Sequence, residues 1–101
     1  MQITVIGPAP LASQQVRAYA EYRLFSRLAP LARHVDGVQV IVNPAPEAAG
    51  CWVCTVTADL GAAGRVRTRV CRRQTSSAID AAAERVAQAA ARRLAEPVPA
   101  T

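Results

Sequence analysis

An α+β domain of order β-α-β-β-β-α, with a four-stranded mixed sheet and two helices packed on one face, is the fold this sequence predicts. Three observations carry it. Two long stretches repeat apolar residues at helical spacing, four shorter ones alternate apolar and polar residues over β-branched runs, and glycine or proline marks most of the joints.

Residues 2 to 6, QITVI, read as a strand with Ile3 and Val5 facing one way, and GPAP breaks it. With Ser13 as N-cap, the period then turns helical. Val16, Ala20, Leu24, Leu28 and Leu31 share one face, with Arg17, Glu21 and Arg33 away from it. Pro30 lacks an N–H and crowds the turn before it, so this helix should stop or kink near Ala29. Tyr22 and Phe25 fall off the stripe, at its edge. VQVIVN (38–43) is the second strand, NPAPEAAG a loop, and CWVCTVTADL the third strand, with Trp52, Cys54, Val56 and Ala58 on one face and Cys51, Val53, Thr55 and Thr57 on the other. GAAG is read as a short hairpin connection into RVRTRVCRR, where Val66, Thr68 and Val70 face the core. The last helix begins near TSSAID, capped by Thr75 or Ser76, with Asp80 and Glu84 early enough to suit its dipole. Its buried stripe is Ile79, Ala82, Ala83, Val86, Ala90 and Leu94. Residues 1–95 form one domain, and 96–101, with two prolines, a loose tail.

The helical crossover makes strands one and two parallel, and the short turns make the other pairs antiparallel. Both helices need the valine-lined face, so the opposite face stays open.

With 101 residues, 51% of them apolar, the chain supports one core. No apolar run approaches the roughly 18 residues of a membrane helix, and nothing resembles a signal peptide. A cytoplasmic protein is expected. Three cysteines, an odd number, suit a reducing compartment better than a disulfide framework. Net charge is +5, and every basic residue is arginine, whose planar fork of donors suits phosphate. A GC-rich gene also writes arginine for lysine, so position matters more than type.

Strand four's open face reads Arg65, Arg67, Arg69, Cys71, Arg73. Such a line of cations can track phosphates, and it also guards a sheet edge against pairing with another chain. The two readings are compatible. CWVC has the spacing of thiol and zinc centres, but residues three apart in a strand point to opposite faces, so Cys51 and Cys54 do not converge. Cys54 belongs in the core. No metal or cofactor is expected, and the lone His34 reads as a surface or hinge residue. With one histidine, no Gly-rich phosphate loop and scattered acids, no catalytic constellation or small-molecule substrate site emerges. The open face shows no aromatics for base stacking.

VRAYAEYRL in helix one, VQVIV and CWVCTV in the strands, and above all SAIDAAAERVAQAAARRL in the last helix resemble the ribosome hibernation promoting factor family, which includes the ribosome-associated inhibitor A. The resemblance covers nearly all of residues 1–95. It implies a non-enzymatic protein that binds the small ribosomal subunit, contacts ribosomal RNA with basic residues, and blocks translation under stress. By position it extends to Arg17, Arg23, Arg85 and Arg92, which the strand-four residues Arg65, Arg67, Arg69 and Arg73 would assist. It departs from the family at Gln74 and Ser76, and in a loop over 43–50 without basic residues. A second reading of a different class is a divergent relative that keeps the fold as a protein-interaction or homodimerisation module without ribosome binding, using the open sheet face where Ile41, Val53 and Thr55 lie.

Overall fold

The computed structural model describes residues 1–7 and 10–96, and their side chains except those of residues 10–13. Along the chain come β1 (Gln2–Ile6), α1 (Pro10–Leu28), a 3₁₀ segment (Ala29–His34), β2 (Gly37–Pro44), β3 (Trp52–Asp59), a 3₁₀ turn (Gly61–Ala63), β4 (Arg65–Arg72) and α2 (Thr75–Ala95). The strands lie in the order β1-β2-β3-β4, with β1 parallel to β2 and the other pairs antiparallel. The predicted architecture is the one observed. Of the tail expected over 96–101, only Glu96 lies within the described residues.

The register explains why one face takes both helices. Val5, Val40, Val56 and Thr68 line up across the four strands, flanked by the rows Ile3–Val38–Ala58–Val66 and Val42–Cys54–Val70. These rows are almost wholly apolar, and α1 seats Ala20, Leu24 and Leu28 against them, while α2 seats Ala78, Ile79, Ala82, Ala83, Val86 and Ala90. The alanines cost no side-chain entropy and let α2 approach the sheet closely. Val16, Tyr19, Leu31, Trp52 and Leu94 pack around the rim. No helix among the described residues is long and apolar enough to cross a membrane.

Element ends differ from expectation in two places, each for a local reason. Helix α1 begins at Pro10 rather than after Ser13. A first-turn amide has no intrahelical acceptor, so proline starts a helix at no cost there and the residue read as a breaker marks the beginning. Neither Thr75 nor Ser76 caps α2: the N-cap is Gln74, without a side-chain cap, and its carbonyl accepts from the Ala78 N–H at 3.0 Å. Asp80 and Glu84 lie beyond the first turn, and both face α1. GAAG forms a 3₁₀ turn closed by the Leu60 N–H to the Gly64 carbonyl at 2.7 Å, with Gly61 and Gly64 at φ 61° and 94°, where a side chain is disfavoured. Pro30 does end α1, which passes at Leu28 into the 3₁₀ segment.

Cys54 is fully buried between the sheet and the helices, and burial pushes its thiol up from 9.0 to about 12. Above pH 9 the unfolded chain ionises this thiol while the folded protein keeps it protonated, so the unfolded state binds fewer protons. The stabilisation from Cys54 is therefore complete below about pH 9 and lost as pH rises toward 12. Urea denaturation across the alkaline range should show unfolding free energy falling by up to about 1.4 kcal/mol per pH unit. Cys54→Ala should flatten that slope; an unchanged slope would assign it to another group.

Candidate nucleic-acid interface

On the face away from the helices, Thr4, Gln39, Thr57 and Arg67 form one cross-strand row, and Ile6, Ile41, Thr55 and Arg69 the next. The alternation that buries Val66 and Val70 turns Arg65, Arg67 and Arg69 outward, and β4 is an edge of the sheet. Arg73 continues the line just past the strand and is exposed.

Helix α2 adds cations to the same edge. Its Asp80 and Glu84 reach Arg23 and Arg27 of α1, at 2.9 and 3.3 Å, which fixes the flank of α2 that faces α1. Arg85 and Arg92 are seven residues apart, so at 100° per residue they fall on the opposite flank, the side toward β4. Both are exposed. Arg65, Arg67, Arg69 and Arg73 thus line the open face of the edge strand and its end, Arg85 and Arg92 occupy the outer flank of α2 on the other face of that strand, and Arg17 and Arg23 stand apart on α1.

Ion pairing divides these arginines. Among the described residues Arg17, Arg67, Arg73, Arg85 and Arg92 form no ion pair. Arg23 is different: its Nε donates to Asp80 Oδ1, which also accepts from the Tyr19 hydroxyl at 2.6 Å, and the Arg23 side chain is only one-third exposed. The bond to Asp80 is the main reason the Tyr19 phenol is held above its usual range. Arg23 is therefore engaged in joining α1 to α2. Arg65 lies 3.9 Å from Asp59, and Arg69 donates to Glu47, whose carboxyl it holds below the usual range. These side chains are 73% and 53% exposed, and open ion pairs contribute little, so a phosphate could replace either carboxylate.

Arg93 is a further cation at this edge that sequence reasoning left out. Its Nη1 donates to the Ala63 carbonyl at 3.4 Å, reaching the β3–β4 turn beside Arg65. Its place next to Arg92 was visible, but not its swing toward the turn, which depends on where α2 ends over the sheet.

The open face proves less apolar than expected. Val53 and Ala45 are buried although neither belongs to the main core, and the Ala45 N–H bonds the Cys51 carbonyl at 2.8 Å. The β2–β3 connection, pinned by Glu47 to Arg69, packs over this end of the sheet. Val53, one of three residues offered above for dimerisation, is thus already covered by the protein itself. Cys54 is buried while Cys51 and Cys71 are half-exposed, and all three are free. Burial and the neighbouring Cys51 push the Cys71 thiol up. No group of three or more potential metal ligands occurs among the described residues.

A scan against protein-family models finds no match, and a search of curated proteins finds none. Solved structures do match. A ribosomal subunit interface protein from Coxiella burnetii superposes with a TM-score of 0.79 at 14% identity, covering 95% of this chain and 100% of that one. The N-terminal domain of Protein Y from Thermus thermophilus superposes with a TM-score of 0.69 at 26% identity, covering 91% of this chain and 98% of that one. Over nearly its whole length, the chain has the fold of these two proteins.

Proposed function

We propose that this protein associates with the ribosome, contacting ribosomal RNA of the small subunit and restraining translation under stress. The observation that carries this reading is that Arg67, Arg73, Arg85 and Arg92 are exposed without carboxylate partners among the described residues, on β4, at its end and on α2, in a fold shared with a ribosomal subunit interface protein. The small subunit and the stress setting come from the resemblance to hibernation factors.

In this reading, those four arginines bind phosphates directly. Arg65 and Arg69 join by exchanging Asp59 and Glu47 for phosphate, and Arg17 makes a separate contact from α1. Arg23 supports the site by holding α1 to α2. Trp52 packs against the core, Tyr19 is tied to Asp80, and the exposed Tyr22 and Phe25 lie on α1 beside β1, away from β4, so the β4 side reads RNA by phosphate position and shape rather than by stacking. The role is that of a binding protein, acting where ribosomes are, in the cytoplasm.

Co-sedimentation with purified small subunits across a salt series tests this. With about six phosphate contacts, affinity should fall on the order of a thousandfold between about 50 and 200 mM salt. Folded protein that fails to pellet at low salt would refute the proposal.

A further inference from the structure

We infer that the β1 edge and the outer flank of α1 form an interface between two copies of this chain. The two edges of the sheet are treated differently. β4 is lined by arginines, whereas β1, QITVI, carries no charge or proline and pairs only with β2. Charge and proline are the usual protections of an exposed edge against strand addition. Beside the unprotected edge runs an open groove of about 530 Å³ lined by Met1, Ile3, Ala18, Glu21, Tyr22 and Phe25. Tyr22 and Phe25 are 65% and 58% exposed, which makes them the most exposed large apolar side chains described.

A second copy fits this surface because one symmetry operation satisfies both of its features. A two-fold axis normal to the sheet sets β1 antiparallel to its counterpart, so the outer amides and carbonyls pair. It also keeps both helical layers on the same side and brings the two α1 flanks together. Alternation then places Ile3 and Val5 of both strands under helices, as they already are in one copy.

Charge agrees with this arrangement. The arginine-rich edge lies at the far side of the sheet, so the net charge of +5 repels weakly across the contact. The α1 flank carries Glu21, with Arg17 one turn before it, and neither is in an ion pair among the described residues. Antiparallel α1 helices bring each toward its opposite in the other copy. The arginine edges stay free at the two ends of an eight-stranded sheet.

Sedimentation velocity on nucleic-acid-free protein in high salt, from micromolar to millimolar concentration, gives the test. The expected result is a concentration-dependent species of twice the 10.7 kDa monomer mass, with slowed amide exchange in residues 2–6 as it forms. Tyr22→Glu combined with Phe25→Glu should raise the dissociation constant at least about a hundredfold, because each ring is lost twice across a two-fold contact. Both residues are exposed, so circular dichroism should show the variant folded, and Arg67→Glu should leave the dimer intact. A monomer at all concentrations overturns the inference. So does a dimer that survives the double substitution, or protection of residues 2–6 that does not depend on concentration, since each assigns the edge to another occupant.

Discussion

Replacing Arg67, Arg85 and Arg92 together by glutamate should lower affinity for small ribosomal subunits on the order of a thousandfold at moderate salt. The slope of log affinity against log salt should shrink by about 3. These three residues are chosen because they are exposed, lie on two elements that meet at one edge, and form no internal ion pair among the described residues. Their substitution removes cations from a partner without breaking a contact inside the protein, so unfolding curves should stay close to wild type. Arg23→Gln provides the contrast. That guanidinium is already committed to Asp80, so its loss should affect the union of α1 with α2 more than the salt slope. If the triple variant pellets like wild type, the β4 edge is not the interface. If Arg17→Glu alone abolishes binding, the contact belongs to α1.

Leu24→Ala should cost about 3 kcal/mol of stability. Leu24 is fully buried in α1 and, with Ala20 and Leu28, is what seats that helix on the valine rows. Truncation removes apolar contact and leaves a cavity that close-packed neighbours fill poorly. A domain of this length has about 5–15 kcal/mol in total, so the loss should appear as a midpoint lowered by roughly 15 °C and as a lower urea midpoint with an unchanged slope. Leu94→Ala, at the half-exposed end of α2, should cost less than half as much. A loss below about 1 kcal/mol for Leu24→Ala would mean that α1 is not held against the sheet as described.

Much of the fold was legible because period is a direct reading of geometry. Ile3 and Val5, then Val38, Val40 and Val42, show alternation that admits only a strand with one buried face. Pro30 announced the end of α1 because a missing N–H acts locally. The starts of the helices were harder to read. Pro10 and Ser13 both suit a first turn, and Gln74 caps α2 without any side-chain signal. The cysteines could be sorted by parity alone, since Cys51 and Cys54 had to part across the sheet. The candidate arginines could be listed but not ranked.

By itself, the sequence determined the element order, which faces are buried, and that the positive charge is carried by arginine. These follow from spacing along one chain, and spacing is a local property. Tertiary structure alone decided that Asp80 of α2 captures Arg23 of α1, 57 residues away, that Glu47 folds across to Arg69, and that Arg85 and Arg92 come to lie beside strand four. Each depends on the distance between groups far apart in sequence, and ion pairing falls off so steeply with distance that no order of residues reveals which cations are left for a partner.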